Sequence, residues 1–277
     1  MTQSPLASNP PNYKRWAAFI GIMLVLIAAL LWNDASLDTT LWRATRWALG
    51  DQDRYSFAAQ QLADAGKPDL PWYRTTPPPF HGTLFHKIER LVWVVRDFGE
   101  YYMTLILAAA LALLHRHKCK AALLLLATTA FTAGLGALLA AVAGRLRPNG
   151  KALDFMLTDP RFTFLSGPPG DIRNDGYNVW VFLRGLHGSG DLSFPSGHAT
   201  LAFATAAALA YLLPRGGVLF YIVAAGCALT RVILQAHFYS DILMGATLGI
   251  VLGALIARAA GRVLRLPASA PHAPSPA

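Results

Sequence analysis

Six runs of apolar residues, set apart by segments of very unequal length, organise this chain. The first covers residues 16–32, follows Lys14-Arg15 and has a tryptophan at each end, the pattern of a membrane-crossing helix with interfacial anchors. Asn33, Asp34 and Ala35 come next and offer no small-residue cleavage site, so the run reads as a retained helix rather than a signal peptide. The second run, residues 91–114, carries Arg96, Asp97 and Glu100 in its first part, which places that part at the outer end of a helix facing protein or water. After the compact basic turn H-R-H-K-C-K at 115–120, residues 121–143 are uncharged throughout and give the clearest membrane span. That span closes on G-R-L-R-P, where Pro148 disfavours further helix and sets Arg145 and Arg147 at its end. Three more runs, 199–213, 217–230 and 242–257, complete an all-α bundle of six transmembrane helices.

Between these runs lie two long loops, about 33–90 and 149–194, both expected outside the membrane on the side that would carry the chemistry. The first contains T-T-P-P-P-F at 75–80, whose consecutive prolines forbid regular helix. The domain plan is therefore a polar N-terminal segment (1–15), one membrane domain (16–266), and an Ala-Pro-Ser-rich tail (267–277) too polar to bury a core and expected to be disordered.

Composition supports a membrane protein: of 277 residues, 54% are hydrophobic and only 14% charged, and mean hydropathy is +0.38. The net charge of +9 raises the question of a nucleic-acid partner, but the basic residues flank the apolar runs instead of forming one dense tract, and anionic headgroups and membrane topology account for them better. With the N-terminus cytoplasmic, Lys14, Arg15, Arg116, Lys118, Lys120, Arg215, Arg258, Arg262 and Arg265 all fall inside, as short loops require. Both termini are then cytoplasmic, as for a bacterial inner-membrane protein. Two cysteines, Cys119 and Cys227, suit neither a disulfide framework nor a metal site.

That topology brings three polar clusters to the outer face: Arg147-Pro148, then Pro195-Ser196-Gly197-His198, then the stretch 230–241, T-R-V-I-L-Q-A-H-F-Y-S-D. Ionisable residues in such apolar surroundings are costly and usually functional. On a continuous helix, His237 and Asp241 share a face, so the carboxylate would hold one imidazole nitrogen protonated and leave the other free as a nucleophile. The alternative is a His-Asp pair that only ties a helix end to a loop. Arg231, six residues before His237, can reach an oxyanion lying over the imidazole. Ser196 suits a helix N-cap, Gly197 permits close approach of the backbone to a ligand, and His198 on the first turn can give a proton to a leaving oxygen. A P-S-G-H tetrapeptide alone is more often a capped helix start than a catalytic turn; its partners give it weight.

In order and spacing, Arg147-Pro148, Pro195-Ser196-Gly197-His198 and Arg231-x5-His237-x3-Asp241 closely resemble the motifs of the type 2 phosphatidic acid phosphatase (PAP2) family, within the vanadium haloperoxidase-like superfamily, over about residues 90–257. The resemblance implies an integral-membrane lipid phosphatase that needs no metal and no cofactor. It assigns His237 as the nucleophile that becomes phosphohistidine, Asp241 as its orienting partner, and His198 as the acid that protonates the departing alkoxide and activates water. Arg147, Arg231, Ser196 and the Gly197 amide would bind the phosphate. One departure stands out. The lysine that the family places seven residues before the arginine is Ala140 here, and Arg145 and Lys151 are the auxiliary candidates to replace it; Thr230 where the family usually has serine is milder.

The expected substrate is a phosphomonoester or pyrophosphate on a lipid, of phosphatidic acid, phosphatidylglycerophosphate, undecaprenyl pyrophosphate or lipid A type. A lipid phosphotransferase of the same fold is an alternative, since the 149–194 loop, with Trp180 and Phe182, can equally be a water-excluding lid or a roof over the headgroup. A phospholipid-binding protein without turnover is a second class, disfavoured because binding needs arginines but not two histidines and an aspartate. A transporter or channel predicts charges near the bilayer midplane, which the runs starting at Ala121 and Ala199 lack.

Overall fold

The computed structural model describes residues 13–48, 83–143, 145, 147, 192–234 and 236–266. Every regular element among them is helical. These are α1 (Tyr13–Ala48), α2 (Thr83–Arg96), α3 (Tyr101–Leu114), α4 (Lys118–Ala143), α5 (Gly197–Leu212), α6 (Gly217–Ile233) and α7 (Tyr239–Val263), with 3-10 turns at Asp97–Gly99 and Pro214–Gly216. Four spans are long and apolar enough to cross a membrane, at Lys14–Leu31, Lys118–Ala143, Pro214–Ile233 and Tyr239–Val263. Arg90–Gly99 and Tyr101–Leu114, bent by 71° to one another, pass the same test only when taken together, as a broken span or a re-entrant loop, while α5 is apolar but shorter. Large apolar side chains such as Ile22, Val25, Leu105, Leu113, Leu219 and Leu255 face outward, which suits a lipid surround and not water. The chain is an integral membrane protein.

Two expectations change. The first helix does not stop near residue 32: α1 runs on to Ala48, through the beginning of what the sequence suggests is a loop. Charges there made the segment too polar for a span, but no proline or glycine breaks it before Gly50. Asp38, Trp42 and Thr45, spaced by four and three residues, lie on one side of this extension and meet α7. There Thr45 Oγ1 is 2.6 Å from the Tyr239 hydroxyl, and the Trp42 and Phe238 ring centroids are 6.1 Å apart. The second change is in the run 91–114, which is broken at Asp97–Gly99. A Cβ on Gly99 would stand 2.7 Å from both Cys227 Sγ and the His198 carbonyl oxygen, so only glycine lets the break nest against α5 and α6.

The core is built around α5, a helix of small residues buried on almost every side. Its most extensive interface is with α7, which brings Gly245, Gly249 and Gly253 to it at four-residue intervals, the small-xxx-small pattern that lets two membrane helices approach closely. A Cβ on Gly249 would lie 2.5 Å from Phe203 Cβ and 2.7 Å from the Thr200 carbonyl oxygen. Neighbouring α4 and α6 close the other sides of α5. This packing fixes the height of the α5 N-terminus relative to that of α7, and the polar residues sit at both.

Gly249→Leu is expected to pry α5 from α7 and destabilise the protein by about 1–3 kcal/mol, the usual cost of overpacking. Gly134→Leu, where an added Cβ meets nothing within 4 Å, should stay within about 0.5 kcal/mol of wild type. Thermal unfolding in detergent compares the two.

Candidate active site

The stretch 231–241 is not one helix. Arg231 lies in the last turn of α6, which ends at Ile233, and α7 begins at Tyr239. The turn between them closes on the Arg231 carbonyl, which accepts from the amides of Ala236 (2.9 Å) and His237 (3.2 Å). Arg231 and His237 are thus neighbours through a loop and not through helical period. Asp241 occupies the third position of α7, where its Oδ2 accepts from the Phe238 amide at 2.8 Å and caps the helix.

His237 is buried, and its Nδ1 lies 2.8 Å from the carbonyl oxygen of Ser193. A carbonyl only accepts, so Nδ1 carries the proton and Nε2 the lone pair. Among the described residues Nε2 has no hydrogen-bond partner. The expected contact with Asp241 is indirect: Nδ1 to Asp241 Oδ2 is 3.6 Å, beyond a hydrogen bond. Ser193 bridges the two, its hydroxyl donating to Asp241 Oδ2 and its carbonyl accepting from His237. Burial holds the His237 pKa down at about 4, against an ordinary 6.5. The Asp241 carboxylate pulls it up, while the positive charges of Arg147 and Arg231 add to the lowering. His237 is therefore neutral at physiological pH, with two arginines close enough to act on it.

Arg145, an auxiliary candidate for the missing lysine, is engaged elsewhere. Its guanidinium is buried, donating to Asp241 Oδ1 at 2.7 Å, to Ser240 Oγ at 2.6 Å and to Asp38 Oδ2 at 3.2 and 3.3 Å. The guanidinium carbon also lies 4.1 Å above the centre of the Phe238 ring. Two carboxylates take up its charge, so it does not replace the lysine. Arg147 is half-buried, with Nε donating to the Leu192 carbonyl at 3.1 Å. Ala140 is half-buried near the end of α4. Pro148 and Lys151 fall outside the described residues, as does most of the 149–194 loop.

Ser196 caps α5 as expected: its buried hydroxyl accepts from the Ala199 amide at 3.4 Å, and its own amide donates to the Asp241 carbonyl at 3.0 Å. Gly197 is exposed beside it. His198 Nε2 lies 2.8 Å from Glu100 Oε1, and Glu100 also receives Arg96 at 2.7 Å. His198 stands within electrostatic reach of both Arg231 and His237. The structure thus brings Arg147, Arg231, His198, His237 and Asp241 to one end of the bundle. Motif reading did not assign Asp38, Ser193, Ser240 or Glu100. Glu100 was visible as a charge in an apolar run; Asp38 had no signal beyond being acidic. Among the described residues, no group of three or more His, Cys, Asp or Glu side chains could hold a metal ion.

Residues 121–265, just over half of the chain, match the family described as the PAP2 superfamily. The lipid A 1-phosphatase of Rhizobium johnstonii is 40% identical over 73 residues, 26% of this chain and 30% of that protein. That of Rhizobium etli is 46% identical over 57 residues, 21% of this chain and 25% of that protein. The chain therefore matches less than a third of the length of either relative. In fold it resembles the crystal structure of the first transmembrane PAP2 type phosphatidylglycerolphosphate phosphatase from Bacillus subtilis, with a TM-score of 0.51, 18% identity, and coverage of 91% of this chain and 98% of that one.

Arg145→Met would leave Asp38 and Asp241 buried without a counter-charge and should cost about 3–5 kcal/mol of stability. Arg145→Lys should recover only part of it, because an ammonium cannot reproduce the planar fork between two carboxylates. Both are read as shifts of the thermal midpoint in detergent.

Proposed function

Because the chain belongs to the PAP2 superfamily, we propose that it is a membrane-embedded lipid phosphatase that works through a phosphohistidine on His237. The observation that carries this reading is the state of that histidine: Nδ1–H is directed at the Ser193 carbonyl, and Nε2 presents a lone pair in a buried, water-poor place. Neutral imidazole beside two arginines is what an in-line attack on a phosphate monoester or pyrophosphate needs. Nε2 bonds to phosphorus as the bond to the leaving oxygen breaks. His198 gives that oxygen a proton, with Glu100 fixing its ring. Arg147, Arg231 and the exposed Gly197 amide at the α5 N-terminus hold the equatorial oxygens, and the buried Ser196 hydroxyl shapes that terminus. Water, deprotonated by His198, then breaks the N–P bond, releasing inorganic phosphate and restoring neutral His237.

In this reading arginines, and no metal ion, neutralise the phosphate. The chain crosses the membrane six times, with the α2–α3 pair and α5 counted as crossings. At 16 residues, α5 is roughly 24 Å long, and its near-complete burial relieves it of spanning a full lipid-exposed thickness. Both termini lie in the cytoplasm of a bacterial inner membrane, and the site opens to the outer face, where a lipid held beside the helices presents its terminal phosphate. The short matches to lipid A 1-phosphatases make a lipid A phosphate the first substrate to try, ahead of phosphatidylglycerophosphate, undecaprenyl pyrophosphate and phosphatidic acid.

Purified protein in detergent should release phosphate from one of these lipids with EDTA present, and His237→Ala should remove the activity by at least about a thousandfold. Release that depends on added metal, or that survives in His237→Ala, would refute the mechanism. With the His237 pKa near 4, the Nε2 lone pair that phosphoenzyme formation needs should stay available through pH 6 and be lost only as pH approaches 4. An exposed histidine would begin to lose it near pH 6.5. Trapping of labelled phosphate across this range with an alkaline detergent quench, which preserves the N–P bond, distinguishes the two.

A further inference from the structure

Resting on that reading of His237, we propose that Asp38 of α1 is a positioning residue for the nucleophile. It lies far upstream of the matched family region, which begins at residue 121, yet it enters the same buried cluster. The Ser240 amide donates to Asp38 Oδ1 at 3.2 Å, the Ser240 hydroxyl donates to Oδ2, and Arg145 donates to Oδ2 through both terminal nitrogens. From there the connections are continuous. Arg145 holds Asp241 Oδ1, Asp241 Oδ2 accepts from the Ser193 hydroxyl, and the Ser193 carbonyl fixes His237 Nδ1.

Each link in this series is buried, so no water competes for the bonds and each partner's direction is set by the next. Arg145 Nη1 is shared between Asp241 and Asp38, Nη2 also donates to Asp38, and the Phe238 ring lies against the guanidinium face, so the Asp38 carboxylate restricts how the guanidinium meets Asp241. Burial raises the Asp38 pKa, opposed by the Arg145 charge. The position makes sense for a carboxylate that serves structure through its charge partner and does not meet substrate. α1 also contributes Thr45 to Tyr239 and Trp42 to Phe238, which brace the first turn of α7 from the same side. The first helix is thereby part of what aims His237, although it supplies no group to the phosphate.

Asp38→Asn keeps the shape and removes the charge. With the full chain in detergent and the preferred lipid, kcat should fall roughly tenfold or more while KM stays within about threefold, since the aim of the nucleophile is disturbed and the arginine seat is not. A role confined to docking α1 would lower the thermal midpoint and leave kcat per folded protein unchanged; that outcome overturns the proposal. His237→Ala is assayed beside it. If that variant keeps its activity, the phosphohistidine reading falls and the proposal with it; if it is dead while Asp38→Asn is fully active, only the proposal falls. Should Asp38→Asn not fold, Ser240→Ala removes the hydroxyl shared by Asp38 and Arg145 with a milder change. There kcat should drop about threefold at constant KM, and an unchanged kcat overturns the proposal.

Discussion

One guanidinium, buried between two carboxylates, is the constraint on which the functional end of this protein depends. Removing Arg145, Asp38 and Asp241 from water costs several kcal/mol per ion, and the cost is offset only if each charge meets partners in good geometry. That condition ties together three distant pieces of chain: the extension of α1 past the first membrane span, the non-helical segment after α4, and the first turn of α7. None of the three can shift without leaving a charge unpaired. Such a network is weak as a source of stability and strong as a source of specificity, because incorrect arrangements are penalised heavily. The turn that carries His237 inherits this definition, since its two anchors are Ser193, bonded to Asp241, and the carbonyl of Arg231.

The apolar half of the design supplies the second coordinate. Polar clusters at the ends of different helices meet only if those helices stand at fixed heights, and α5 and α7 are set by contacts between small residues that leave no room for sliding. The Ser196 amide donating to the Asp241 carbonyl joins the two helix N-termini directly. On the opposite side, the break between α2 and α3 delivers Glu100 to His198, and it can do so only because Gly99 has no side chain to collide with Cys227 and the His198 backbone. The proposed nucleophile, His237, and the proposed proton donor, His198, are therefore held by different machinery: one by a buried charge network, the other by a half-buried carboxylate at a helix break.

Motif chemistry was legible in the sequence where a residue was out of character with its surroundings. Arg231, His237 and Asp241 stand out as charges in an apolar run, His198 as part of the Pro195-Ser196-Gly197-His198 helix start, and Arg147 by the proline after it. What could not be read was anything carried by backbone or by helical continuation. The acceptor for His237 Nδ1 is a main-chain carbonyl, which any residue at position 193 would supply, so Asp241 was given a direct contact that the structure routes through Ser193. The shared helical face assumed for His237 and Asp241 does not exist, because α6 ends at Ile233. Asp38 was hidden by the same charges that made residues 33–48 resemble a loop. Apolar periodicity reports lipid-facing helix, and a helix that leaves the membrane still helical has no such signature.

Ala140 follows from the same geometry in a way that the motif comparison alone does not reveal. With Arg145 neutralised by Asp38 and Asp241, and Arg96 paired with Glu100, the positive charge acting on His237 among the described residues is that of Arg147 and Arg231. Two guanidiniums can match the two negative charges of a phosphomonoester dianion, and they do so with planar forks and not with a point charge. A third cation would stabilise the bound dianion as well as the transition state, and binding both equally raises affinity without speeding the chemical step. Loss of the lysine therefore bears first on how tightly a phosphate is held. The readiness of His237 for its proposed role as nucleophile rests on Ser193, Asp241 and burial, all of which are in place, so the departure at position 140 leaves the core of the proposed chemistry untouched.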